Sequence, residues 1–184
     1  PMLEIQRIES LYFPGSIPGS QLAHFQHIIF VSSNAVRFGL SQILSSHSFI
    51  NKNTNFYAVG SATAKLLWEA GIEAISPKDK MTSEGLLELA SFSKVSGENV
   101  ALIKGEGGRD YLARVLQEWG AKVTSFDCYR RVTPKISPIT LVKLVEDNNI
   151  AMAIFSSGEG VLNFLSLIGE KQEIFPDLTL LVAS

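Results

Sequence analysis

Short unbroken apolar runs, each followed by small polar residues and then a helical pattern, recur along this chain and constrain its fold more than any other feature. His27-Ile-Ile-Phe-Val31 leads through Ser32, Ser33 and Asn34 into a helix predicted over 35–45. Phe56-Tyr-Ala-Val59 leads through Gly60 and Ser61 into a helix to about Glu69, with Gly71 as its C-terminal stop. A short strand is expected at 73–76, and a helix from Thr82 to about Phe92. Asn99 to Ile103 is a strand, and Gly105-Glu-Gly-Gly108 opens a helix ending at Trp119-Gly120. Residues 122–131 are extended, 137–147 helical, 150–155 a strand and 160–168 a helix. Leu178 to Ser184 reads as a buried strand. Strands of about five residues alternating with helices of about ten imply βαβ units around a parallel sheet. Continuous apolarity in the strands implies burial on both faces. Right-handed crossovers then gather the strand-to-helix turns at one edge, where ligands bind.

An internal repeat is visible. Phe30, Ser32 and Val36 recur as Phe155, Ser157 and Val161, each 125 positions on. The next apolar run recurs nearly in step, as Tyr57-Ala-Val-Gly-Ser61 and Leu180-Leu-Val-Ala-Ser184. The fold expected is α/β: two similar parallel-sheet α/β domains joined by a two-stranded antiparallel linker, the first domain incomplete in this chain. Residues 9–124 form the complete, inserted domain. Residues 1–8 and 125–134, which alternate like one-sided strands, form the linker, and 135–184 begin the second domain. A strand rarely closes a parallel unit with nothing after it, so the sequence is read as incomplete at both ends.

Formal charge is −2 and the pI about 6.0, which argues against nucleic acid, whose binders carry a basic patch or stripe. No apolar run reaches the ~18–20 residues that cross a bilayer. Cys128 is the single cysteine, so no internal disulfide exists. With His24, His27 and His47 it gives no metal-ligand spacing. His24 and His27 read as the wet edge of a loop or helix. A reducing cytoplasm is the expected location.

Gly105-Glu-Gly-Gly-Arg109 follows a strand. Its glycines permit close backbone approach, so it reads as an anion cradle or as a tight turn needing positive φ. It is neither a Walker A loop nor a dinucleotide fingerprint. Arg109 adds a bidentate donor for carboxylate. Ser32, Ser61, Thr63, Thr82, Ser83 and Ser157 stand near helix starts, where capping is the common fate of hydroxyls. The same helix ends, gathered on one rim, would bind several carboxylates. Tyr129 sits on the proposed bridge. By residue type it is first a packing residue; facing a cleft, its phenol would donate a proton to a leaving hydroxyl. By alternation Cys128 faces the opposite way, as a small buried hydrophobe.

Taken together, Ile29-Phe-Val-Ser-Ser-Asn-Ala-Val36, Val59-Gly-Ser-Ala-Thr-Ala64, Thr82-Ser-Glu-Gly-Leu86, Lys104-Gly-Glu-Gly-Gly-Arg109, Val123 to Tyr129-Arg-Arg131, and Ile154-Phe-Ser-Ser-Gly-Glu-Gly-Val161 resemble the uroporphyrinogen-III synthase family in order and spacing. Val31-Ser32-Ser33 stands where that family usually has Thr-Ser-Pro. The family's opening strand and helix, and everything after Ser184, are absent. The resemblance implies two α/β domains with the active site between them, and a monomer. It implies hydroxymethylbilane as substrate and uroporphyrinogen III as product, with no metal or organic cofactor. Tyr129 matches the family's proton-donor candidate, while Ser32, Thr63, Gly105, Arg109 and Ser157 match cleft positions. A non-catalytic two-lobe binding protein, or a glycosyltransferase- or flavodoxin-like enzyme using the Gly-rich turn for phosphate, are the rival readings.

Overall fold

The computed structural model describes residues 4–7, 24–44, 53–169 and 178–182. His47 and the predicted ends of several elements lie outside the described residues. Two compact units are present: Gln6–Arg130, and Pro1–Ile5 with Arg131–Ser184.

A five-stranded sheet has β1 (Glu4–Arg7), β5 (Lys122–Val132), β4 (Asn99–Gly105), β2 (His27–Phe30) and β3 (Asn55–Ala58) in that spatial order. β2 pairs in parallel with β3 and β4, and β4 with β5. The expected βαβ alternation is therefore present. Interior strand β2 is buried along its whole length, as a strand with helices on both faces requires.

The two faces use alternate residues of the same strands. Helix α1 (Ser33–Leu44) packs on the Ile103 side of β4, where Gly39 meets Ile103. A β-carbon on Gly39 would stand 2.5 Å from Ile103 Cγ2, so glycine lets the helix settle onto the sheet. Helix α2 (Ser61–Glu69) packs beside α1. The other face holds Ile29, Tyr57, Val100 and Leu102 against Leu86, Phe92, Leu112 and Leu116. These come from helix α3 (Ser83–Leu87), a 3₁₀ turn (Ala90–Phe92) and helix α4 (Tyr111–Glu118).

Among the elements just described, three expectations are corrected. The helix predicted from Thr82 to Phe92 breaks at Leu89, which is extended (φ −68°, ψ 133°). Six positions on, a continuous helix would turn Phe92 away from the side Leu86 faces; the break returns both to one core. The strand at 73–76 shrinks to a single bridge, Ile75 to Tyr57. His27 is buried rather than a wet edge, its ring held by Tyr57 Oη (3.1 Å from Nδ1) and by the Glu98 carboxylate at Nε2. A buried imidazole with both nitrogens partnered avoids the desolvation penalty that made an exposed site the simpler reading.

The second unit has helix α5 (Pro138–Asp147), β6 (Met152–Phe155), helix α6 (Gly158–Ile168) and β7 (Thr179–Val182). β6 and β7 pair in parallel, Phe155 opposite Val182, as Phe30 pairs with Ala58 in β2 and β3. The repeat is thus a repeat of structure. Leu141, Phe155, Phe164 and Ile168 form its core. Burial on both faces does not hold here: Met152 and Leu181 are exposed, Ile154 is 74% exposed, and β7 is not a buried strand. The helices cover the Phe155 side, and Met152, Ile154 and Leu181 point the other way by the alternation of a strand.

Candidate active site

The carboxyl ends of β2, β4 and β5 form one edge of the five-stranded sheet. At the end of β2 the chain turns into α1, and Ser32 Oγ accepts a hydrogen bond from the Ala35 N–H at 3.1 Å. This is an N-cap, which fixes the hydroxyl at the helix start. Ser157 does the same for α6, accepting from Gly160 N–H at 3.2 Å. The two serines 125 positions apart therefore share one local geometry. Thr82 caps α3 in the same way, through Gly85 N–H at 3.2 Å.

Tyr129 reaches Ser32 across the sheet, with 3.1 Å between the two hydroxyl oxygens. The phenol is buried, 3% exposed. Its ring lies directly over Gly105, its cross-strand partner, and beside Phe38 of α1 (centroids 6.1 Å apart). The Tyr129 carbonyl accepts from Glu106 N–H at 2.8 Å, and Arg130 pairs with Glu106 at 3.4 Å.

A β-bulge creates this arrangement. Lys104 pairs with Asp127, but Gly105 pairs with Tyr129, so Cys128 is the extra residue. Such a bulge interrupts strand alternation. Cys128 and Tyr129 both face α1: the thiol contacts the Ala35 carbonyl (3.7 Å) and Gly39, and the phenol contacts Ser32 and Phe38. The expectation that Cys128 faces away from Tyr129 is therefore corrected, although it is a buried small group as anticipated. Burial pushes its thiol pKa up to about 12.

The Gly-rich segment is a turn rather than the first turn of a helix. Gly107 and Gly108 have φ of 69° and 84°, a region L-residues avoid, and α4 starts only at Tyr111. Arg109 is 73% exposed, ion-paired with Glu84 at 2.6 Å, with its guanidinium 5.3 Å from the Tyr111 ring centroid. The Glu84 carboxyl is held below its ordinary range by its own backbone N–H and then by Arg109. Thr63 is buried in the first turn of α2, whose cap is Gly60 rather than a hydroxyl. Ser32, Gly105 and Tyr129 are thus in mutual contact or one contact apart. Thr63 and Arg109 belong to neighbouring turns of the same unit, and Ser157 belongs to the other unit.

Two groups here went unnoticed in the sequence. Lys104, mostly buried, pairs with Asp110 at 3.1 Å. Asp127, its cross-strand neighbour, has a buried Oδ1 with no hydrogen-bond partner among the described residues. Desolvation raises the Asp127 pKa; Lys104 opposes this, and Glu106 and Asp110 add to it. Only the strand register, which alternation could not supply, brings them together.

No group of three or more potential metal ligands occurs among the described residues, and no helix among them is long and apolar enough to cross a membrane.

A profile described as uroporphyrinogen-III synthase HemD matches residues 1–184. The uroporphyrinogen-III synthase of Escherichia coli is 28% identical over 139 residues, covering 75% of this chain and 56% of that protein. That of Proteus mirabilis is 30% identical over 114 residues, covering 61% and 57%. The chain therefore spans a little over half the length of the curated relatives it matches. Among solved structures, a mutant uroporphyrinogen III synthase from Thermus thermophilus superposes with a TM-score of 0.64 at 16% identity, covering 100% of this chain and 74% of that one. The Helicobacter pylori enzyme gives 0.60 at 16%, covering 98% and 75%. At that identity the likeness speaks for the fold alone, whereas the sequence profile covers every residue: the chain belongs to the uroporphyrinogen-III synthase family.

Proposed function

We propose that this chain carries the tyrosine-bearing part of a cytoplasmic, monomeric enzyme that closes hydroxymethylbilane into uroporphyrinogen III, inverting the last pyrrole. Residues 9–124 serve as one α/β domain. Residues 1–8 and 125–134 are the antiparallel linker, and 135–184 belong to the other domain. The observation that carries this reading is the Tyr129 hydroxyl, pinned to Ser32 over Gly105 at the carboxyl edge of a parallel sheet, where α/β folds bind ligands.

The chemistry asks little of the protein beyond geometry. Pyrrole nitrogen electrons expel the terminal hydroxyl, and Tyr129 protonates it as it leaves. The carbon so exposed must then be held against the last pyrrole, which is a matter of orientation. Backbone N–H groups at the starts of α1, α2 and α6, near Ser32, Thr63 and Ser157, are suited to substrate carboxylates. So are those of the turn from Gly105 to Arg109. No metal or organic cofactor enters this scheme.

The test is isomer analysis of the porphyrin formed from hydroxymethylbilane by the full-length protein, because unassisted closure gives the uninverted ring. Tyr129→Phe should slow formation of the inverted isomer about 100- to 10,000-fold with little change in melting temperature, the usual range for loss of a positioned acid. Unchanged formation of that isomer removes Tyr129 from the mechanism. Substrate binding with no turnover by the parent protein would favour a non-catalytic binding role.

A further inference from the structure

Ser32 has a more specific task than its place on the rim suggests. Its oxygen accepts the Ala35 N–H (3.1 Å) and lies 3.1 Å from Tyr129 Oη. A serine hydroxyl carries one proton and two acceptor sites. The cap occupies one acceptor site and fixes the oxygen, so the proton can be directed along the line to the phenol. We propose that Ser32 is a positioning residue that acts through Tyr129, donating its hydroxyl proton to the phenol oxygen, rather than a ligand for a substrate carboxylate. The inference rests on the reading that Tyr129 protonates the leaving hydroxyl.

The reason lies in how the hydrogen bond changes during the reaction. The Tyr129 O–H bond breaks and its proton joins the leaving oxygen. The C–O bond breaks with its electrons on that oxygen, which departs as water, and the pyrrole nitrogen lone pair fills the gap. A phenolate remains, which can only accept. The Ser32 O–H then points at an anion, and a hydrogen bond to a charged group is about twice as strong as a neutral one. The freed carbon bonds to the substituted α-carbon of the last pyrrole to give a spiro ring. The old bond from that α-carbon to its bridge breaks, and the bridge carbon re-bonds to the pyrrole's free α-carbon. That carbon sheds its proton to the phenolate, for a net loss of one water. Because the Ser32 bond strengthens as charge develops, it contributes to kcat and not to KM. Gly105 completes the device, since any side chain there would drive the ring off Ser32.

The test is a double-mutant cycle in the full-length protein, measuring kcat and KM for hydroxymethylbilane and the isomer formed. Ser32→Gly removes the hydroxyl while largely sparing the helix cap, where glycine is itself tolerated. It guards against Ser32→Ala failing to fold. Each should lower kcat about 10- to 100-fold, the size of a hydrogen bond to a charged group, with KM within about twofold. Ser32→Thr should restore most of the rate. In a Tyr129→Phe background Ser32→Gly should cost nothing further, because its partner oxygen is gone. An equal loss in both backgrounds, or a loss confined to KM, overturns the proposal. If the parent protein yields only the uninverted ring, the functional reading itself fails and takes this inference with it.

Discussion

A β-carbon added to Gly105 would stand 2.5 Å from Tyr129 Cζ and 2.9 Å from its hydroxyl oxygen. Real Cβ contacts do not come so close, so the ring and the glycine occupy one space between them. Gly105→Ala should push the phenol away from Ser32. The expected result is a fall in kcat of about 10- to 100-fold and a stability loss of about 1–3 kcal/mol, the range for an overpacked site. Turnover and melting temperature check it together. Normal turnover in a protein that melts lower would show that the phenol's position does not matter.

Cys128 gives a prediction independent of catalysis. Burial first, and Asp127 in addition, push its thiol up to about 12, against a smaller opposing pull from its own backbone N–H. Thiolate is the reactive form, and little exists near neutral pH. A thiol reagent at about pH 8 should leave the native chain unlabelled and modify this single cysteine only on unfolding. Rapid stoichiometric labelling of the native protein would contradict the packing of α1 against the bulge.

That packing is tested directly at Gly39, whose missing side chain leaves room for Ile103 Cγ2 (2.5 Å) and Cys128 Sγ (3.2 Å). Gly39→Ala should lower stability by about 1–3 kcal/mol, read by denaturant titration. The alanine has better helix propensity by about 1 kcal/mol, so a net gain would mean that the α1 contact with β4 is looser than described.

Asp127 sets a pH dependence. Its folded pKa lies above that of the unfolded chain, chiefly through desolvation. For a raised carboxyl the stabilising condition is protonation. The contribution is complete below the unfolded value of about 3.9 and is lost as pH rises through the folded value. Asp127→Asn should therefore raise the melting temperature at neutral pH, and the gain should shrink as pH falls toward about 3.5. A difference that does not vary with pH would show that Asp127 titrates normally.

Much of this was legible in the residues. Apolar runs at His27, Asn99 and Met152 marked buried or half-buried strands, and the duplicated Phe-x-Ser motif pointed to two serines that cap helices in the same way. The Tyr129–Ser32 contact was not legible. Ninety-seven positions separate the two, and only strand order and register join them. Nor was the facing of Cys128, because counting by twos assumes an unbroken ladder. His27 escaped for a similar reason: its partners, Tyr57 and Glu98, are 30 and 71 positions away, and a lone histidine beside a strand carries no sign of them. The break at Leu89 serves a core shared by distant segments, which helical periodicity does not sense.

The bulge in β5 also predicts where relatives of this chain differ in length. Gly105 and Tyr129 are registered to each other across the ladder, and the surplus residue sits just before the tyrosine. Dropping position 128 would restore regular pairing from Asp127 onward and still seat the aromatic ring above the glycine. Relatives compared along this strand are expected to show a one-residue gap there while keeping the glycine–tyrosine pairing, so the fixed point for aligning them is that pair rather than the count of residues leading up to it.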